Sequence, residues 1–151
     1  MRTIDATRGS AVAIEPHRTI TEAAQLMEQA GVGALVVLDG QEVAGIVTDR
    51  DIVRRAVARG VPLDARIDST MTSPVITADA DGDLRGTVAL FRRHAVRRLP
   101  LVREGAFVGM FTIDDALVGI VQELDAVARP VTAEMLFAHR DPPVPATSPP
   151  G

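Results

Sequence analysis

Cysteine, tryptophan, tyrosine and lysine are all absent from these 151 residues, and the aromatic complement is four phenylalanines. Without cysteine there is no disulfide frame, no thiol nucleophile and no thiolate metal site. Four scattered rings do not make a stacking platform for single-stranded nucleic acid. All 16 basic residues are therefore arginine, a bias that the codon usage of a GC-rich genome accounts for. The net charge of −4 argues against non-specific nucleic-acid binding. No apolar run approaches the roughly 20 residues that span a bilayer, and residues 1–10 are polar and unlike a signal peptide. The expectation is a cytoplasmic protein with neither a membrane nor a nucleic-acid partner.

Catalytic and metal signatures are missing as well. His17, His94 and His139 are too far apart to form a ligand set or a triad. No serine sits in a nucleophile-elbow pattern, and no Gly-rich phosphate loop occurs. The run Asp79-Ala80-Asp81-Gly82-Asp83 lacks the later Gly and Glu of a calcium loop, and reads better as an acidic helix start that complements the dipole. No catalytic residue, metal or cofactor is expected.

What the chain does have, it has twice. Gly45-Ile46-Val47-Thr48-Asp49-Arg50-Asp51-Ile52 returns 64 residues later as Gly109-Met110-Phe111-Thr112-Ile113-Asp114-Asp115-Ala116. Duplication on this scale predicts two similar halves sharing a core, with a pseudo-twofold cleft between them. A chain of about 150 residues buries roughly 68–70% of its unfolded surface, so the fold needs no staples.

In the first half, residues 11–14 form a short apolar run. Thr19 and Glu22 then make a capping box that opens a helix closed by Gly31. Residues 34–38 read as a strand, Asp39-Gly40 as a hairpin turn, and 43–47 as the returning strand. A second helix follows from Thr48 to Ala58, ended by Gly60. Shifting by 64 repeats the series: strand at 75–78, helix at 84–94, strands at 99–102 and 107–111. The domain boundaries that follow are an N-terminal arm over 1–10, repeat one over 11–60, a linker over 61–73 and repeat two over 74–128. The last helix is expected from about Asp114 until Pro130 stops it. A helical extension over 129–140 and a disordered Pro-rich tail over 141–151 complete the chain.

The repeated turn carries the chemistry. A strand running into a helix at Thr48 or Thr112 presents free backbone N–H groups, which favour an anion, and the hydroxyl adds a hydrogen bond. Asp51 and Asp115, three residues on, can accept hydrogen bonds from vicinal hydroxyls such as those of a ribose. The same Thr-x-x-Asp spacing also serves as a capping box that satisfies its own helix, and both readings stand at this point.

The ordered set of motifs resembles a tandem pair of CBS domains (cystathionine-β-synthase domains), the arrangement called a Bateman module. The resemblance covers about residues 11–125. It rests on Gly45 to Ile52, Glu22-Ala23-Ala24-Gln25-Leu26-Met27, Met71-Thr72-Ser73-Pro74-Val75 and Val96-Arg97-Arg98-Leu99-Pro100-Leu101-Val102. It implies an α/β (α+β) fold of two β-α-β-β-α repeats about a pseudo-twofold axis, adenosine ligands in two clefts between the repeats, and a homodimer. Position by position, it puts ribose on Asp51 and Asp115, and phosphate or the ribose edge on Thr48 and Thr112. For adenine it implies Pro16, Thr21, Val32, Gly33, Ala34 and Met110 in the Asp115 cleft. In the Asp51 cleft it implies Ala80, Arg85, Val96, Arg97 and Ile46.

Arg97 and Arg98 occupy positions where related modules reach phosphate, whereas the first repeat has Gly33 and Ala34. A charge-assisted bond of this kind contributes roughly 1.5–3 kcal/mol, so the clefts are expected to differ, with the Asp115 cleft the stronger. The function implied is a stand-alone, non-catalytic energy or metabolite sensor that binds AMP, ADP, ATP or a related adenosyl ligand and acts through an unidentified protein partner or its own dimer. The alternative is a structural or docking module whose clefts are vestigial.

Overall fold

The computed structural model describes residues 1–138. The tail expected over 141–151 lies outside the described residues, as does the end of the extension expected over 129–140. The chain folds as α1 (Thr3–Ala6), β1 (Ala13–Ile14), α2 (Ile20–Ala30), β2 (Ala34–Asp39), β3 (Glu42–Thr48) and α3 (Asp49–Asp51). The last of these runs on as a π-turn over Ile52–Ala56 and a 3-10 turn over Val57–Arg59. A 3-10 turn at Ile67–Ser69 opens the second half, followed by β4 (Ala78–Asp79), α4 (Leu84–His94), β5 (Arg98–Arg103), β6 (Ala106–Thr112) and α5 (Ile113–Ala138).

Each half holds one three-stranded sheet, in the order β1-β2-β3 or β4-β5-β6. The outer pair is parallel, with Ala13 beside Val36 and Ala78 beside Leu101. The inner pair is an antiparallel hairpin, with Ala34 opposite Thr48 and Arg98 opposite Thr112. The hairpins close with positive φ at Gly40 (63°) and at Glu104 and Gly105 (50° and 80°), the left-handed backbone that a tight two-residue turn requires. The α2 cap forms as read, with Thr19 accepting from the Glu22 amide at 3.1 Å and Gly31 left-handed at the C-cap. Glu22 does not reach back, however; its carboxylate pairs with Arg18 at 3.2 Å.

Two cores result. One gathers Ile14, Ile20, Met27, Leu35, Val37, Val47 and Ile67; the other gathers Leu84, Phe91, Leu99, Leu101, Phe111 and Ala6. Phe91 and Phe111 stack with centroids 5.5 Å apart. Ile67 and Ala6 come from segments that the sequence reading assigned to a linker and to a loose arm. Both segments are docked instead, and they are exchanged. Thr3 N and Ile4 N donate to the carbonyls of Gly82 and Ala80, each at 2.9 Å, so α1 completes the second half. Ile67 N and Asp68 N donate to Arg18 O at 2.7 Å and Pro16 O at 3.3 Å, so the equivalent turn completes the first half. The two sets are related by the same 64-residue offset as the motifs.

Side chains add to the arm's anchorage. The buried Thr3 hydroxyl lies 2.8 Å from that of Thr87. Asp81 accepts from Arg103 at 2.7 and 2.8 Å and from Arg2 at 3.1 Å. The Arg103 guanidinium holds the Asp81 carboxyl below its ordinary value, so this staple is charged at neutral pH and is lost only as pH falls through that lowered range.

The C-terminal helix is also not as the sequence suggested. Pro130 does not stop it: α5 is continuous from Ile113 to Ala138 with Pro130 inside. Proline removes one amide donor, but every residue of α5 beyond Glu123 whose side chain is described is exposed. Water can then satisfy the carbonyl that Pro130 leaves free.

The equivalent glycines of the two repeats face different neighbours. A Cβ on Gly45 would lie 2.6 Å from Met71 Sδ and 2.7 Å from the Thr72 carbonyl oxygen, whereas one on Gly109 makes ordinary contacts with Ile4 Cδ1 at 3.5 Å and Thr7 Cγ2 at 3.9 Å. Gly45→Ala is therefore expected to lower stability by about 1–3 kcal/mol through overpacking. Gly109→Ala should stay within about 0.5 kcal/mol of the parent or gain slightly. Urea unfolding midpoints of the two variants compare them directly.

Candidate functional site

Both repeated turns form the capping box that their spacing allows. At the first, Thr48 Oγ1 accepts from the Asp51 amide at 3.1 Å and Asp51 Oδ2 accepts from the Thr48 amide at 3.0 Å. At the second, Asp115 N donates to Thr112 Oγ1 at 3.2 Å, while Asp115 Oδ2 accepts from the Thr112 amide and hydroxyl, both at 2.9 Å. Each box fixes its carboxylate at the end of an inner strand, β3 or β6, where the two halves meet. Capping is thus one task of these residues. Whether it is the whole task depends on the space beside them.

Each turn opens onto a cleft between the halves. The first is about 290 Å³ and is lined by Ile46, Thr48 and Asp51 from one half and by Thr72, Pro74, Val75, Ile76, Val96, Arg97 and Arg98 from the other. The second is about 280 Å³ and is lined by Gly9, Ser10, Ala11, Val12, Val32, Gly33, Ala34 and Val36, opposite Arg98, Met110, Thr112 and Asp115. Both volumes sit at the lower edge of the range for small-molecule sites, roughly 300–1,000 Å³. A neighbouring hollow of about 290 Å³ is bounded by Arg97, Arg98, Thr112, Ile113 and Asp114.

Arg98 therefore borders all three spaces. It owes that position to β5, whose first residue it is, paired across the hairpin with Thr112. The side chains of Arg97 and Arg98 are exposed, and among the described residues no carboxylate pairs with either. In the first half the equivalent Gly33 lies under a carboxylate: a Cβ there would be 3.1 Å from Asp49 Oδ2. The repeats thus differ in charge where their backbones agree.

Of the residues singled out from the sequence, Thr48, Asp51, Ile46, Val96, Arg97 and Arg98 come together in one cleft, and Thr112, Asp115, Met110, Val32, Gly33 and Ala34 in the other. Four do not arrive. Pro16 follows β1 on the outer side and borders a separate, open hollow of about 740 Å³ that contains neither turn. That hollow is larger than either cleft, but Glu15 is already met by His17 at 3.0 Å and Glu22 by Arg18 at 3.2 Å. Thr21 sits in the first turn of α2 and donates to the Leu63 carbonyl at 3.1 Å. Ala80 is fully buried, its carbonyl taken by Ile4 of the arm. Arg85 points outward to Glu123 at 3.4 Å.

Their places on the cleft walls are filled by residues 9–12 and by Thr72, Pro74, Val75 and Ile76, which follow the exchanged turns. Gly9 and Ser10 lay in the assigned arm, and Ala11 and Val12 at the start of the assigned repeat one. Thr72, Pro74 and Val75 belong to Met71-Thr72-Ser73-Pro74-Val75, one of the motifs that carry the resemblance, although Met71 to Ser73 fell inside the assigned linker.

Similarity to known proteins runs along the same two units. The family model described as CBS domain matches residues 4–58 and again 65–122, each match starting at the exchanged turn rather than after it. CBS domain-containing protein YhcV of Bacillus subtilis is 33% identical over 105 residues, covering 70% of this chain and 75% of its own. A conserved protein of Pyrococcus horikoshii superposes with a TM-score of 0.69 at 30% identity, covering 78% of this chain and 90% of that one. The CBS domain protein PAE2072 of Pyrobaculum aerophilum, solved in complex with AMP, superposes with a TM-score of 0.68 at 28% identity over 76% of this chain and 89% of its own. With the doubled turn, the exchanged openings and two matches that together cover most of its residues, this chain belongs to the CBS-domain family, as a tandem pair.

Proposed function

We propose that the chain is a non-catalytic regulatory module that binds an adenosine nucleotide between its two repeats. The observation that carries this reading is the coincidence, in one 290 Å³ cleft, of an Asp51 carboxylate held by its own cap and the guanidinium groups of Arg97 and Arg98. A carboxylate accepts hydrogen bonds from a ribose diol, and arginines at the mouth meet phosphate. The apolar walls, Ile46, Val75, Ile76 and Val96 here and Val32, Ala34 and Met110 opposite, suit a planar base. The AMP complex of the Pyrobaculum relative supports adenine over other bases. Among the described residues no helix is long and apolar enough to cross a membrane.

The output of such a module is a change in what it contacts, which ligand can bring about only by binding two conformations unequally. A second copy of the chain is the contact best supported. Val53 and Val57 at the first repeat, and Leu117 and Val121 at the equivalent positions of the second, are each 58–62% exposed and make a matched pair of apolar faces. A partner protein is the alternative. It is favoured by the further exposed apolar residues Leu124, Val127, Val131, Met135 and Leu136 along the outer part of α5.

Three outcomes are expected. In a thermal-shift panel of AMP, ADP, ATP, S-adenosylmethionine and NAD, a true ligand at about 100 times its dissociation constant stabilises by about 2.7 kcal/mol, roughly 5–10 °C at this size; no shift with any member sinks the reading. Arg97→Ala with Arg98→Ala should weaken AMP by about one to two orders of magnitude and leave adenosine nearly unaffected, as compared by calorimetric titration. Val53→Glu with Leu117→Glu should turn a dimer into a monomer by light scattering, and a parent already monomeric removes the second copy as the contact.

A further inference from the structure

The two turns repeat each other in sequence, yet their carboxylates are not equally occupied. An ionised carboxylate offers about four lone-pair sites. Asp115 uses three: Oδ2 takes the Thr112 amide and hydroxyl, and Oδ1 accepts from the backbone N–H of Arg8 at 3.2 Å. The residue is buried, 6% exposed. Asp51 uses one, the Thr48 amide on Oδ2. Its Oδ1 has only the Arg55 guanidinium, at 3.8 Å, beyond hydrogen-bond reach. No hydrogen-bond donor reaches that oxygen among the described residues.

The difference arises in the exchanged segments. The counterpart of Arg8 in the other half is Thr72. Its N–H donates to the Ile46 carbonyl at 2.8 Å, and Ile46 N–H returns a bond to Thr72 O at 3.1 Å. That segment therefore spends its amide on β3 and leaves Asp51 free. The segment after α1 makes no such bridge with β6, and its amide goes to Asp115.

We propose that the chain takes one nucleotide, in the Asp51 cleft, and that the Arg8 amide is the resident occupant of Asp115. The proposal rests on the nucleotide reading above and assigns it to a single cleft. A vicinal diol needs two acceptor sites on one carboxylate; Asp51 offers them and Asp115 does not. Displacing Arg8 would require moving a segment whose start, Thr3 to Ala6, is anchored in the second core. The sequence ranked the clefts in the opposite order because Arg97 and Arg98 were set against Gly33 and Ala34. In the structure both arginines border the Asp51 cleft and only Arg98 borders the other.

The test is calorimetric titration of the full chain with AMP. One equivalent is expected for the parent, and Asp51→Asn should weaken it by tenfold or more. Arg8→Pro removes the N–H together with an exposed side chain, whose loss Arg8→Ala controls for; Thr7 before it already has φ −74° and ψ 126°, which a following proline accepts. That variant should take up a second equivalent, whereas Arg8→Ala, which keeps the amide, should stay at one. Should Arg8→Pro fail to fold by circular dichroism, the amide spectrum of the parent decides: AMP should shift the Asp51 resonance and leave that of Arg8 in place. Two equivalents on the parent, binding that survives Asp51→Asn, a folded Arg8→Pro that remains at one, or an AMP-shifted Arg8 amide overturns the assignment while nucleotide binding stands. If AMP binds neither the parent nor Arg8→Pro, the same titrations are read with whichever member of the panel shifts the parent, and no binding by any member removes the nucleotide reading itself, and the assignment with it.

Discussion

Four backbone hydrogen bonds, from Thr3 and Ile4 onto the second half and from Ile67 and Asp68 onto the first, fix how the two halves meet. Neither core is complete without a side chain from the other repeat's opening turn: Ile67 fills the first and Ala6 the second. The exchange makes the pair a single cooperative object rather than two beads on a string. It also creates the clefts. A segment that starts on the far half and must return to its own sheet has to run through the boundary between them. Residues 9–12, and Thr72 with residues 74–76, line the clefts on that return path.

Much of this was legible in the sequence where periodicity and caps agreed. The α4 bounds, the Thr19 and Gly31 caps, both hairpins and the two Thr-x-x-Asp turns follow from local rules that tertiary packing did not override. The pseudo-twofold relation followed from the 64-residue offset, whereas the inward position of Ile46, Val96, Met110 and the two arginines followed from the family resemblance.

What the sequence hid was hidden for physical reasons. A four-residue helix such as α1 is a single turn, too short to show a hydrophobic period, and its key contacts are backbone amides that carry no side-chain signature. Pro16, Thr21, Ala80 and Arg85 were assigned to the clefts from the family resemblance, which puts adenine against backbone of the other half's first strand and the start of its second. The parallel strand is instead at the outer edge of its sheet, so the residues after it face away. Pro130 misled in the other direction, because a proline's cost depends on whether the freed carbonyl is buried, and here the turn is exposed. The difference between Asp51 and Asp115 has no sequence signal at all. It comes from where one amide, that of Arg8, happens to point.

The uninterrupted α5 has a mechanical meaning. It is rooted in the second half by Ala116 and Gly119, the latter packed against Leu84 and Ala6, and beyond Glu123 the described side chains are exposed. At 1.5 Å per residue the stretch from 124 to 138 alone is about 21 Å long. The root touches α1, which belongs to the first repeat in sequence and to the second in packing. Any tilt between the halves that is felt at that contact is carried outward along the rod, so that its far end moves farther than the boundary itself.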